Sequence, residues 1–339
     1  MQSHQCRYVL VSDALDSDQL AEIQSIVNAS QAPWSVLQVN ENTKLDTTTL
    51  SNIEIVYISV DVLGESSKTQ LTPLMRQFCD IALDSPHLKW LQASSAGLDR
   101  PQYQTLLSQG VTLTHAGGIA SKTVAHSAIA GLLALGRELP SFMSRQRQRE
   151  WKAIRGLDAP KDIPGQTAIV VGLGAIGQEI AKLCQALGLN VIGLNRSGVA
   201  PADLEIDTHS ITKFDQLIDT ADWLILSCPL TDDTKHLVTA KAFAQMKPSA
   251  RLIDVSRGGV VSSKDLLLAL QQGQLAGAYL DVFETEPLAP DSPFWTLPNT
   301  IITPHAAGDS AGRTRKLTEF FIQNLQQYLT GETLLNRAK

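Results

Sequence analysis

The sequence predicts an α/β fold in two domains, the second built on a doubly wound parallel sheet, and three observations predict it. The chain has 339 residues, while domains commonly run to about 100–200 residues, so more than one hydrophobic core is expected. Short β-branched runs alternate with longer helical patterns along the chain, the pattern of parallel strands joined by crossover helices. A polar, basic stretch up to Pro160, followed by Pro164-Gly165, interrupts that alternation once and supplies the turn chemistry of a boundary.

In the first region, Tyr8–Val11, Val36–Val39, Ile53–Val60, Leu88–Gln92 and Val111–Thr114 read as strands, with helical patterns at Asp18–Ala29 and Leu74–Leu83. Ser121 then offers an N-cap to a helix carrying Val124, Ala125, Ala128, Ile129, Leu132, Leu133 and Leu135. That apolar face is too wide for a surface helix, which predicts burial between the domains. The basic run Arg145, Arg147, Arg149, Lys152 and Arg155 reads as the solvated side of a helix leading into a linker. The second region opens with a strand at Thr167–Val171, a helix over Gln178–Leu187 stopped by Gly188, and a strand at Asn190–Leu194. Further strands follow at Trp223–Ser227, Arg251–Val255, Gly277–Asp281 and Thr300–Ile302. Ser262-x-x-Asp265 predicts a capping box for a helix ending at Gly273, and Gly308–Leu334 is a helical segment able to return to the first domain.

Composition narrows the function classes. Hydrophobic residues at 43% and charged residues at 18% fit a folded, soluble protein. A net charge of -6 gives no reason to expect a polyanionic partner, so nucleic acid is disfavoured. Cys6, Cys79, Cys184 and Cys228 lie far apart and form no C-x-x-C pair, which predicts neither a metal site nor a disulfide framework and fits a reducing compartment. Met1 to Tyr8 has no apolar core of signal-peptide length, and no apolar run reaches about 18 residues, so a cytoplasmic location without a membrane partner is expected.

Gly172-Leu173-Gly174-Ala175-Ile176-Gly177 sits directly after a predicted strand and opens a predicted helix, the context in which G-x-G-x-x-G binds a dinucleotide. Gly172 permits the tight turn, Gly174 lets backbone approach the pyrophosphate, and Gly177 lets helix pack on strand. The N–H groups of Ala175 and Ile176 then face phosphate oxygens at the positive end of the helix dipole. At the end of the next strand, where an acidic residue would bond the ribose 2′-hydroxyl, stands Asn195. A neutral Asn195 does not repel a 2′-phosphate, and Arg196 and Ser197 supply a charge and a hydroxyl for one, so NADP(H) is favoured over NAD(H).

Three polar segments follow predicted strands: Val255-Ser256-Arg257-Gly258-Gly259, Leu280 to Pro287, and Thr303 to Gly308. Ligands of open α/β sheets bind beyond such strand ends, and these residues suit carbonyl reduction. His305 suits the proton donor, with Glu286 as a carboxylate that would favour and orient its imidazolium. Arg257 suits a carboxylate next to the carbonyl, which it would grip while polarising the carbonyl oxygen.

These motifs, together with Cys228-Pro229-Leu230-Thr231 and Thr234, Asp254–Gly259, Gly277–Leu288 and Thr303-Pro304-His305, resemble the D-isomer-specific 2-hydroxyacid dehydrogenases over nearly the whole chain. The resemblance implies a discontinuous architecture: a Rossmann domain, 121–305, inserted into a flavodoxin-like substrate domain, 1–120 plus 306–339. It implies that Arg257 binds and polarises a 2-oxoacid, that His305 is the general acid/base partnered by Glu286, and that Asp281 bonds the nicotinamide carboxamide. Cys228, Pro229, Thr234, Val255, Ser256 and Ala307 would line the cofactor, and the N–H groups of Ala96 and Gly97, in Ser94–Asp99, would take the substrate carboxylate. A homodimer is also implied. The family commonly has Val-Ala-Glu where this chain has Val124-Ala125-His126, and we read His126 as structural. Gly118-Ile119, Trp151, Ser292–Trp295 and Leu297–Asn299 resemble the glyoxylate and hydroxypyruvate reductase branch, so the expected activity is reduction of such a small 2-oxoacid to its D-2-hydroxyacid. Two other readings share the scaffold: a nucleotide-sensing protein like the C-terminal-binding-protein corepressors, and a formate- or phosphite-type dehydrogenase.

Overall fold

Two parallel sheets organise the chain, which divides into one unit comprising Met1–Ala120 with Ser310–Lys339 and another comprising Ser121–Asp309. The structure is a computed structural model and describes residues 6–66, 70–156 and 159–338; the stretch 1–5, read above for a signal sequence, lies outside the described residues.

The first unit carries β1 (Arg7–Ser12), β2 (Trp34–Val39), β3 (Ile53–Ile58), β4 (Trp90–Ala93) and β5 (Thr112–His115). Every neighbouring pair is parallel and the order is β2-β1-β3-β4-β5, the flavodoxin-like winding. The strands read as near-continuous apolar runs because both faces are covered. Leu10, Val56 and Ile58 enter one core with Phe78, while Val9, Val11 and Tyr57 enter the other with Phe321. Phe321 comes from the helix Arg313–Thr330, which returns to this unit and stacks its ring on Tyr57 with centroids 4.2 Å apart. Truncating a buried phenylalanine to alanine costs about 3–5 kcal/mol, so this one side chain contributes much of the helix's hold.

The second unit carries β6 (Thr167–Val171), β7 (Asn190–Asn195), β8 (Asp207–Ser210), β9 (Trp223–Leu226), β10 (Arg251–Asp254), β11 (Gly277–Leu280) and β12 (Thr300–Ile302). The sheet order is β12-β11-β10-β9-β6-β7-β8, again parallel throughout, with the winding direction reversing between β6 and β9. Read from β8, this is the dinucleotide-binding order with one strand added. Ile169, Val171, Leu224 and Leu226 fill one face, and Ala168, Val170, Trp223 and Ile225 the other. The helix Ser121–Gly136 buries Ala125, Ala128, Ile129, Leu132 and Leu135 against the helix Ala175–Ala186 and against β10 and β11. His126 on that helix is exposed, as are Arg147, Arg149, Lys152 and Arg155 of the basic run.

Two sequence expectations are corrected here. The edge strand β8 was not anticipated: its residues, Asp-Thr-His-Ser, carry no apolar signal, and among the described residues it pairs with β7 alone. The capping box at Ser262 does not form, since the helix Ser263–Gln271 receives no side-chain bond from Ser262. Asp265 Oδ2 instead accepts the N–H of Ala240 (3.0 Å), and Glu284 Oε2 accepts the orphan N–H of Ser263 (2.9 Å). Carboxylates aligned by tertiary structure have displaced the local cap. Among the described residues, no helix is long and apolar enough to cross a membrane.

Candidate active site

The glycine loop joins β6 to the helix Ala175–Ala186 and sits at the winding reversal. Gly172 has φ 92°, and a Cβ there would lie 2.6 Å from Cys228 Cα, so the turn passes directly over the end of β9. A Cβ on Gly177 would stand 1.8 Å from the Gly172 carbonyl oxygen, which excludes every larger residue where the helix meets the strand. At Gly174, by contrast, a Cβ would meet nothing within 4 Å, so backbone is exposed at the mouth of the turn. The N–H groups of Ala175 and Ile176 open the helix, where no intrahelical acceptor exists. This cradle fits a dinucleotide pyrophosphate, and Ser227, which sequence reasoning missed, braces it by donating from Oγ to the Gly172 carbonyl (2.8 Å).

At the end of β7, the Asn195 side chain is spent on its own turn. Its Oδ1 accepts from Gly198 N (2.6 Å) and from Ser197 Oγ (3.1 Å), while Nδ2 donates to the Val199 carbonyl (2.7 Å). Arg196 is thereby presented to solvent with no ion-pair partner among the described residues. Beyond β9, Thr234 Oγ1 donates to the Pro229 carbonyl (2.7 Å) and accepts from Thr231 N (2.7 Å), closing the loop that begins at Cys228. Burial pushes the Cys228 thiol up to about 12, so it stays protonated.

Asp281 lies one residue past β11 and is almost fully buried. Its Oδ1 accepts from Thr303 Oγ1 (2.5 Å), Ala306 N (2.9 Å) and Ala307 N (3.0 Å), which holds the turn after β12 in place. Among the described residues no hydrogen bond falls on Oδ2. Within this turn His305 takes a left-handed conformation, φ 54°, and donates its N–H to the carbonyls of Asp281 (2.8 Å) and Thr303 (3.0 Å). Such a conformation costs a non-glycine residue on the order of 1–3 kcal/mol and persists because its surroundings over-determine it.

His305 Nδ1 donates to Glu286 Oε2 at 2.8 Å, and Glu286 Oε1 accepts the Phe283 N–H at 3.0 Å. The hydrogen bond that His305 donates to Glu286 raises its imidazole above its ordinary range against the opposing effects of burial and the nearby Arg257 charge. Arg257 is close enough to act on His305 electrostatically, yet it pairs with no carboxylate among the described residues; its Nη1 donates to the Ser256 carbonyl at 2.7 Å. A half-buried guanidinium without a counter-ion among the described residues suits an anion. The Arg257 and Glu286 segments meet backbone to backbone: a Cβ on Gly258 would fall 1.8 Å from the Phe283 carbonyl oxygen. Val255 and Ser256, which precede Arg257, are buried, and Ala307 is buried where its N–H meets Asp281.

In the other unit, Ser94–Asp99 follows β4 as an irregular loop in which Ser95 Oγ donates to the Gly97 carbonyl (2.8 Å). The N–H groups of Ala96 and Gly97 meet no acceptor among the described residues. Two further site features escaped sequence reasoning: the buried Asp254, whose Oδ1 binds Ser256, and a second pair, His236 Nε2 donating to Glu284 Oε1 at 2.7 Å. The burial of Asp254 and the pairing of His236 with Glu284 depend on segments far apart in sequence, although Asp254 itself opens the Asp254–Gly259 motif.

Residues 129–307 match the family model for the NAD binding domain of D-isomer specific 2-hydroxyacid dehydrogenases. The chain is 35% identical over 249 residues to glyoxylate/hydroxypyruvate reductase B of Escherichia fergusonii, covering 73% of this chain and 76% of that one. It is 30% identical over 250 residues to a glyoxylate reductase of Korarchaeum cryptofilum, covering 73% and 75%. A crystal structure of a D-isomer specific 2-hydroxyacid dehydrogenase family protein from Aeromonas salmonicida superimposes with a TM-score of 0.76 at 28% identity, covering 99% of both chains. Its dinucleotide-binding fold, its glycine loop and these likenesses lead to one conclusion: the chain belongs to the D-isomer-specific 2-hydroxyacid dehydrogenase family of oxidoreductases.

Proposed function

We propose that this protein is an NADPH-preferring reductase of small 2-oxoacids such as glyoxylate or hydroxypyruvate, forming the D-2-hydroxyacid. The observation that carries the reading is the 2.8 Å pair between His305 and Glu286 beside an unpaired Arg257. The nicotinamide cofactor, when bound, supplies the hydride. Ala175, Ile176 and the glycine loop would hold its pyrophosphate, and the open Asp281 Oδ2 would hold its carboxamide.

The substrate's carboxylate and carbonyl oxygen take the guanidinium of Arg257, whose positive charge stabilises the developing alkoxide. Protonated His305, anchored through Nδ1 by Glu286, keeps Nε2 for the proton that the alkoxide receives. In the other unit, the unengaged N–H groups of Ala96 and Gly97 suit a carboxylate. The reverse reaction uses the same groups, with His305 as base.

The NADPH preference rests on Arg196, which stands uncommitted on a turn that Asn195 closes without adding charge. A steady-state panel of 2-oxoacids, formate and phosphite with each nicotinamide cofactor tests the whole reading. Turnover of glyoxylate or hydroxypyruvate with NADPH at the higher kcat/KM is the expected result. Turnover of formate or phosphite alone, or of none of them, overturns it. Asn195→Asp should reverse the cofactor ratio by about tenfold or more, through repulsion of the 2′-phosphate.

A further inference from the structure

Asp254 closes β10 three residues before Arg257, and at 1% exposure it is among the most deeply buried polar groups of the molecule. Its Oδ1 accepts both the N–H of Ser256 (3.0 Å) and the Ser256 hydroxyl (2.5 Å). Its backbone carbonyl accepts the N–H of Asp281 (3.0 Å), tying the ends of β10 and β11 together. The Ser256 carbonyl in turn receives Arg257 Nη1. Asp254 thus holds, through one intermediate residue, the backbone from which the guanidinium departs.

The ionisable groups bearing on Asp254 are acids: Asp281 beyond β11, Glu286 in the loop that follows, and the Cys228 thiol beyond β9. No cation among the described residues bonds to it. We propose that Asp254 is a positioning residue for carbonyl reduction, acting as a neutral carboxylic acid that clamps Ser256 and thereby aims Arg257 at the 2-oxoacid. The role rests on the reductase reading given above, while the protonation state does not.

A neutral Asp254 is what burial dictates. An isolated carboxylate in such a place is expensive, and Asp281 and Glu286 add like-charge repulsion. Burial pushes Asp254 up to about 7, although two hydrogen bonds from Ser256 favour the ionised form. The neutral acid keeps both contacts at Oδ1 and carries its proton on the other oxygen. A carboxamide at this position retains the acceptor and cannot ionise, whereas a methyl group removes the clamp.

The test compares Asp254→Asn, Asp254→Ala and Ser256→Ala in the full-length enzyme. With NADPH and glyoxylate, Asp254→Ala should raise KM for the oxoacid and lower kcat/KM by about 100-fold, NADPH affinity by fluorescence staying within about twofold. Ser256→Ala should show a smaller loss of the same kind, and Asp254→Asn should recover to within about threefold of wild type. The second readout needs no turnover. The thermal midpoint of Asp254→Asn should exceed that of wild type at about pH 7 and above, and the gap should close as pH falls toward about 4, because between about 4 and about 7 the wild-type unfolded state ionises Asp254 while the native state keeps it protonated.

The proposal is overturned if Asp254→Asn is as damaging as Asp254→Ala, if oxoacid KM and NADPH affinity change together, or if the midpoint gap is independent of pH. A wild-type protein that turns over no 2-oxoacid defeats the reductase reading and the aiming role with it. That outcome is told apart from failure of the neutral acid by the midpoint gap, which tests the protonation state alone.

Discussion

Two histidine–glutamate pairs of the second unit take their glutamates from the same loop after β11, and they match almost feature for feature. His305 meets Glu286 at 2.8 Å and His236 meets Glu284 at 2.7 Å. Both histidines adopt positive φ, 54° and 49°. Their side chains are 47% and 46% exposed, and those of the glutamates 33% and 34%, so accessibility cannot tell the pairs apart. What differs is the company each keeps. Glu284 spends its second oxygen on Ser263, capping a helix, and His236 fixes its backbone N–H on Gly259. The His305 turn is instead held by Asp281, with the uncommitted charge of Arg257 nearby. A hydrogen-bonded imidazole becomes a proton donor only where something nearby can hold the group that needs the proton.

Substitutions at the two pairs should therefore separate sharply. The largest expected effect is in His305→Ala, which should lower kcat by about 10²–10⁴-fold, the usual worth of a general acid, while His236→Ala stays within about threefold of wild type. Comparable losses in the two would erase the distinction. Arg257→Ala should cost about 2–4 kcal/mol of transition-state stabilisation, read as kcat/KM for a 2-oxoacid.

Glu286→Gln should act on the pH profile. Because Glu286 raises the His305 value, the protonated imidazolium persists to higher pH than the ordinary 6.5 allows, and reduction is lost on the alkaline side of that raised value. Removing the carboxylate should move the alkaline limb toward lower pH, and an unmoved limb would mean that another group supplies the proton. The same pair's contribution to folding is complete below 6.5 and fades as pH rises through the raised value. The smallest effect is Glu284→Ala, a lost cap worth about 0.5–2 kcal/mol in unfolding with kcat unchanged.

Much of this was legible in the sequence, and the reasons are local. Strand β6 has the same bounds in both readings, because Thr-Ala-Ile-Val-Val followed by Gly172 carries its structure within a dozen residues. Arg257, Glu286 and His305 drew attention because each lies in a polar segment that follows a predicted strand. Strand β8 was hidden because an edge strand made of polar residues has no periodicity to read. The cap of the helix Ser263–Gln271 was misread for a related reason: Ser262-x-x-Asp265 is a local pattern, and Glu284, twenty-one positions from Ser263, supplied the acceptor instead. Asn195 was correctly read as uncharged, yet its side chain turned inward to build the turn that presents Arg196.

By itself the sequence determined the parallel α/β class and the glycine loop with its helix, and it put forward His305, Glu286 and Arg257 as the candidate acid, its partner and the anion-binding group. These depend on apolar periodicity, on glycines where a Cβ would collide, and on residue types whose chemistry survives in any surroundings. Only the tertiary structure decided that Glu284 pairs with His236, that Asp281 pins the turn of His305, and that Asp254 is buried among acids. Those are matters of distance and desolvation between segments brought together by folding, and no local pattern encodes them.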